Sequence, residues 1–271
     1  MALSKTEAVV LKSFNWSESS RTVVFFTPGY GKLALVDKGG RSMKSRRGRL
    51  LPFALLELTF YSSQKETSGY ISDVELIAEL TFEGDGSLGR LAYGSAACEL
   101  LYVLAPEEEP LRDLYDYFVS YLKLVDAVDK RSLPGLFLAF LLRTMAHLGY
   151  HPSLSNCVVC GKDILPTDID PDTPTDQSEA VAVSVERGGV VCEACQSPGD
   201  YYIHLAPRGI YLLRELQQAS LREAATVPVG FRRASMVLEV LTKLLSFQSG
   251  LKGELKSLEF LQKLRQQTLT E

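Results

Sequence analysis

The chain has 271 residues, of which 46% are hydrophobic, and a net charge of −4. That length suits one large domain or two ordinary ones. With no run of about eighteen apolar residues, no membrane-spanning helix is expected. The opening "MALSKTEAVVLKSF" has no long apolar core after its first basic residue, so it does not read as a signal peptide and a cytoplasmic protein is expected.

The first eighty residues read as strands. "TEAVVLKSF" is short, apolar and β-branched, and "TVVFFT" follows it. The turn "PGYG", with Pro28, Gly29 and Gly31, joins that run to "KLALVDKGG" as a hairpin. "LLELTFY" sets Leu56, Leu58 and Phe60 against Glu57, Thr59 and Tyr61, the alternation of a half-buried strand. "GYISDVELI" is the fifth strand. Five short strands over residues 1–80 fit a small barrel, and the five-stranded OB-fold is the expected form.

From residue 81 the period becomes helical. One stripe is Leu88, Leu91, Ala92, Ser95, Cys98, Leu101 and Tyr102, and another is Leu111, Leu114, Tyr115, Phe118, Leu122 and Val125. "LPGLFLAFLLRTMAHLGY" is apolar almost all round, which marks a central buried helix with Pro134 in its first turn and Gly149 at its end. Met236, Val237, Val240, Leu241, Leu244 and Leu245 form a later stripe, and Leu251, Leu255, Leu258, Leu261 and Leu264 the last. The fold class expected is α+β: an OB-fold domain at 1–80, then an all-helical domain at 81–271. The helical domain carries an inserted four-cysteine, zinc-ribbon-like module at about 156–200. Within that insertion "PTDIDPDTPTDQSE" is acidic and Pro-rich and reads as a mobile loop, and "AVAVSVERGGVVC" reads as a hairpin turning at Gly188–Gly189.

Four of the five cysteines form two pairs, Cys157–Cys160 and Cys192–Cys195, separated by thirty-one residues. A Cys-x-x-Cys turn delivers two thiolates to one ion, and two such turns complete a tetrahedral sulfur shell. One Zn²⁺ per chain is expected, structural rather than catalytic, because four sulfur ligands leave no open position. The alternative is four free or disulfide-bonded cysteines, which a reducing cytoplasm disfavours. Lone Cys98 lies on an apolar helical face and reads as core.

Charge is unevenly spread. Residues 1–80 hold eleven Lys and Arg against eight Asp and Glu, a net of +3, which leaves −7 for the rest. Six basic residues fall between Lys38 and Arg49 with no acid among them: Lys38, Arg41, Lys44, Arg46, Arg47 and Arg49. A lone charge run usually means a solvated loop. Beside a barrel whose loops and open face bind oligonucleotides, this run, with Lys32, is a candidate phosphate-binding surface. Phe14, Trp16, Tyr30 and Tyr61 are candidate stacking partners, each of which also suits a core. Three histidines (His147, His151 and His204) are the whole complement, and there is no Ser/His/Asp arrangement, Walker loop or dinucleotide glycine pattern. No enzyme is expected.

Three stretches resemble the bacterial DNA repair and recombination mediator family RecO: "VVLKSFNWSESSRTVVFFTPGYGKLALVDKGGRSMKSRRGRLLPF", "HLGYHPSLSNCVVCG" and "GGVVCEAC". The resemblance implies the same architecture and no bond chemistry. It implies binding of single- and double-stranded DNA at the nucleoid, and annealing of complementary strands. It also implies a partner, RecR, with which recombinase is loaded onto DNA coated by single-strand-binding protein. The acidic C-terminal tail of that coating protein would contact the helical domain, for which Arg143 is the candidate. The rival reading is a zinc-ribbon OB-fold protein that binds RNA in transcription or translation. A magnesium nuclease is disfavoured because no carboxylates cluster on the expected strands.

Overall fold

The computed structural model describes residues 2–15, 17–38, 50–62, 69–107, 109–164, 180–251 and 255–268. They form two compact units: Met1–Val128 with Leu255–Leu261, and Asp129–Glu254 with Gln262–Glu271.

In the first unit β1 (Ala2–Asn15), β2 (Arg21–Thr27), β3 (Gly31–Asp37), β4 (Leu55–Ser62) and β5 (Gly69–Ala78) close a barrel in the order β1-β2-β3-β5-β4. Pairing is antiparallel except between β3 and β5, an OB-fold arrangement. The expected alternation on β4 holds: Leu56, Leu58 and Phe60 point inward, where Val10, Val23, Phe25, Leu35 and Ile71 join them. Closure depends on Gly69. A Cβ there would lie 2.3 Å from the Tyr61 carbonyl oxygen and 2.9 Å from Leu35 Cδ2, so only glycine lets β5 enter between β3 and β4. A bulge on β1 between Val10 and Lys12 shifts its register, so Val10 is in the core while Lys12 is exposed.

The outer face of β2 is covered as well, which accounts for its unbroken apolar run. Phe26 lies 6.1 Å from both the Tyr115 and the Phe118 rings of α2 (Arg112–Ala127). The first helix, α1 (Ser87–Leu104), departs from its expected stripe. Leu88 is 54% exposed and Leu91 41%, whereas Tyr93, Gly94, Ala96, Ala97, Leu100 and Leu101 are buried with Cys98. Small residues set this face by close approach: a Cβ at Gly94 would stand 2.6 Å from Phe82 Cε2. Arg90, buried on the same helix, donates to the Val125 carbonyl and, at 2.7 Å, to that of Val128. It thereby satisfies carbonyls that the end of α2 would otherwise leave orphaned.

In the second unit α3 (Leu133–His147) is the buried centre expected, and α4 (Pro207–Gln218), α5 (Leu221–Ala224) and α6 (Phe231–Ser249) pack on it. At its C-terminus Tyr150 N–H donates to Met145 O at 2.7 Å and Gly149 N–H to Ala146 O at 3.1 Å, a Schellman pair. Between α3 and α4 lies a three-stranded sheet of β6 (Val181–Ser184), β7 (Gly189–Val191) and β8 (Tyr202–Leu205), ordered β7-β6-β8. The hairpin is where it is expected. Strand β8 has no counterpart in the sequence reading. The last helix is α7 (Lys256–Thr268). Among the described residues no helix is long and apolar enough to cross a membrane.

Candidate metal centre and nucleic-acid interface

The first cysteine pair sits in a knuckle just after α3. Cys157 N–H donates to Lys162 O, and Gly161 N–H to Cys157 O, both at 2.8 Å. Gly161 adopts a φ of +76°, a left-handed turn that glycine takes without strain. The second pair brackets a short 3-10 turn, Glu193–Cys195, with Cys195 N–H donating to Cys192 O at 2.9 Å. The hairpin joins the two knuckles: Val158 N–H reaches Val190 O at 3.0 Å, and Val190 N–H reaches Ser153 O at 2.9 Å. Two glutamines hold this assembly to the helices. Gln217 Nε2 donates to Pro152 O at 3.0 Å, and Gln248 Nε2 to Val185 O at 3.0 Å and Glu186 O at 3.2 Å.

The four Sγ atoms all lie within 4.8 Å of one another, and Cys160 and Cys192 are 3.7 Å apart. Four sulfurs about 2.3 Å from one ion stand about 3.8 Å apart, so the spacing fits a tetrahedral metal shell. The thiols are electrostatically unequal. Burial pushes the Cys157 thiol up, but N–H groups of Cys192, Cys160 and Val159 and the Cys160 side chain outweigh it and bring it down to about 6. Hydrogen bonding with the Cys192 and Cys160 sulfurs, then burial, pushes Cys195 up to about 12. Sulfurs this close resist ionising together, and a dication would remove that resistance. Lone Cys98 is buried, as expected, and its thiol is pushed up by burial.

The candidate phosphate contacts separate. Arg41, Lys44, Arg46, Arg47 and Arg49 lie outside the described residues, as do Trp16 and the acidic stretch 166–179 of the insertion. Lys38 is exposed just after β3, its ammonium 3.9 Å from the centre of the Tyr70 ring. Lys32 is occupied within the protein. Its side chain is only 14% exposed, and its ammonium donates to Tyr102 O at 3.0 Å and lies 3.8 Å from Glu107. It ties β3 to the C-terminal end of α1. Lys12, absent from the sequence-based candidates, lies 5.0 Å from the Phe14 ring centre and 4.6 Å from that of Tyr102. The signal was present in "VVLKSF", but only the bulge at 10–12 puts Lys12 and Phe14 on one outer face. Arg143 is exposed on α3, a helix buried from Leu133 to Leu142 and at Thr144 and Met145.

Two family descriptions match this chain: "Recombination protein O N terminal" over residues 1–80 and "Recombination protein O C terminal" over residues 86–259. The chain belongs to the RecO family. Among its relatives is the DNA repair protein RecO of Symbiobacterium thermophilum, 27% identical over 267 residues that cover 98% of this chain and 99% of the relative. The same protein of Pelobacter propionicus is 29% identical over 271 residues, 96% of each chain. That of Thermoanaerobacter sp. is 36% identical over 165 residues, 60% of this chain and 64% of the relative. RecO family membership supports a role in recombinational DNA repair.

Proposed function

We propose that this protein is a non-enzymatic DNA-binding mediator of recombination, cytoplasmic and nucleoid-associated, with an OB-fold domain at 1–80 and a helical domain at 81–271. It binds single- and double-stranded DNA and anneals complementary strands. With RecR it helps load recombinase onto DNA coated by single-strand-binding protein. One Zn²⁺ held by Cys157, Cys160, Cys192 and Cys195 stabilises the insertion. The zinc supplies no chemistry to substrate, since an all-sulfur shell has no free position. Arg143 is the proposed contact for the acidic tail of the coating protein, because it is an exposed cation on the central helix of the second unit.

The observation that carries this reading is the pairing of a closed OB barrel, in a member of the RecO family, with the basic run that follows β3. In a chain of net charge −4, phosphates need a local excess of cations, and the run from Lys38 to Arg49 supplies six. Annealing requires that the repulsion between two strands be screened, which the same run does. Phosphate contacts carry little sequence information, so binding is nearly sequence-independent.

The test is the Arg46→Ala, Arg47→Ala double variant, with binding measured across a salt range. Each lost contact lowers the salt slope by roughly 0.7 for single strands and about 0.9 for duplex. Affinity falls alike for every DNA sequence, annealing falls with it, and metal content stays unchanged. An unchanged slope together with loss of RecR binding would assign the run to the partner instead. Competition between DNA and RNA strands of one sequence separates this reading from the RNA-binding one, and incubation of labelled DNA with magnesium tests for cleavage.

A further inference from the structure

The four clustered sulfurs differ in what can reach them. Cys157 is buried, Cys192 and Cys195 are half-buried, and Cys160 is exposed. Cys157 is also held from within, its Sγ accepting the Cys192 N–H at 3.4 Å. Cys160 and Cys192, one from each knuckle, bring their Sγ atoms to 3.7 Å. A disulfide joins sulfurs about 2 Å apart, so this pair stands less than about 2 Å of movement from a covalent bond. The first knuckle has room for that movement. Val159 beside Cys160 is 46% exposed, and a Cβ at Gly161 would meet nothing within 4 Å.

The backbone bonds of each knuckle do not run through its sulfurs. Cys157 N–H is bonded to Lys162 O, and Cys195 N–H to Cys192 O, each inside its own turn. A bond between Cys160 and Cys192 would join the two knuckles that a shared ion joins, whereas a disulfide inside either Cys-x-x-Cys turn would leave them apart. In a reducing compartment such a bond is transient and serves sensing or catalysis instead of support.

We propose that the cysteine module is a peroxide-sensitive switch, in which Cys160 and Cys192 pass between metal ligation and a reversible disulfide. The inference rests on the zinc reading above and adds to it. The Cys160 thiolate attacks hydrogen peroxide, the O–O bond breaks, and hydroxide leaves as Cys160 becomes a sulfenic acid. Cys192 Sγ then attacks that sulfur, the S–O bond breaks, a second hydroxide leaves and the S–S bond forms. Two thiolates have lost two electrons, and peroxide with two protons has become two waters. Two of the four ligands are thereby withdrawn, and zinc is released because two sulfurs do not complete its shell. The knuckles stay joined, so a dithiol reductant and added zinc restore the original site.

The test treats the full chain with hydrogen peroxide and follows zinc with a metallochromic indicator, while mass spectrometry maps the cysteines after alkylation. One zinc per chain is released in step with the loss of two of the five thiols. The peptide that contains Cys160 becomes linked to the one that contains Cys192, and buried Cys98 stays reduced. Reductant with zinc reverses both changes. No variant has to fold for this result to be read. Zinc retained, with five thiols intact, under peroxide that fully oxidises a free-thiol control overturns the switch while the zinc reading stands. A disulfide confined to one Cys-x-x-Cys turn, or Cys160 carried to sulfinic acid without a cross-link, also overturns it. Absence of zinc before peroxide is added sinks the zinc reading and the switch together.

Discussion

Strands of seven to fourteen residues build the barrel, whereas strands of three or four build the sheet of the cysteine module. The barrel closes on itself through a short β3–β5 pairing at Leu35–Gly69 and Val36–Tyr70, around a core in which Val10, Phe25, Leu58 and Phe60 are fully buried. The module has an open three-stranded sheet whose buried residues are mainly valines, and its two knuckles meet at their sulfurs, with Cys192 N–H donating to Cys157 Sγ at 3.4 Å, and through the hairpin. So small a sheet does not stabilise itself by apolar burial alone. What it lacks, a metal cross-link and two glutamine ties to neighbouring helices can supply. Two sheets in one chain thus stand at opposite ends of a scale, one held by its core and the other by a few polar ties beside four clustered sulfurs that fit a metal shell.

The difference can be broken from either side. The largest effect is expected from Cys192→Ser. Zinc affinity in small sites amounts to about 10–16 kcal/mol of folding free energy, so losing one ligand should release the ion and unfold the knuckles. Elemental analysis should show one zinc per chain before the change and close to none after it. Hydrogen exchange should show the Val158 and Val190 amides losing protection while the barrel strands keep theirs. A metal-free variant with an undisturbed hairpin would show the ion to be dispensable. Leu58→Ala strikes the other region. Leu58 is fully buried in the barrel, and deleting its side chain should cost about 2–5 kcal/mol in denaturant unfolding of that unit, with zinc content unchanged.

Two smaller effects sharpen the comparison. Lys32→Met removes a mostly covered ammonium from the Tyr102 carbonyl and should cost about 1.5–3 kcal/mol of barrel stability. It should leave the salt slope of DNA binding unchanged, and a slope that falls by a full contact would return Lys32 to the DNA surface. Gln248→Ala removes the tie from α6 to the turn between β6 and β7 and should cost about 1 kcal/mol. Zinc should be retained, with faster exchange confined to the hairpin.

Much of the fold was legible in the sequence because two short periods carry it. Alternation on β4 puts Leu56, Leu58 and Phe60 inside and Tyr61 outside, as the structure has them. The apolar helix at 133–147 needs no tertiary information to be recognised as buried, and the two Cys-x-x-Cys turns are recognisable by spacing alone. The α1 stripe holds at Ala92, Cys98 and Leu101 but not at Leu88 and Leu91, because burial there follows closeness of approach. Gly94, Ala96 and Ala97 admit neighbours that Leu88 and Leu91 would hold off. Lys32 reads as a phosphate ligand in a basic stretch, yet the end of α1 and the residues after it bring a carbonyl and a carboxylate to it from seventy residues or more along the chain.

By itself the sequence determined the barrel, the central helix, the pairing of the cysteines and the concentration of charge after β3, since each depends on residues close together in the chain. The tertiary structure decided which of those features meet. It gathered four sulfurs from two knuckles thirty-one residues apart. It turned Lys12 and Phe14 outward through a bulge, and it aligned Phe14, Tyr70 and Tyr61 across the barrel through strand register. It also buried the guanidinium of Arg90 against the end of α2. Register, bulges and close approach are set by the shapes of distant surfaces, and no local period in the chain records them.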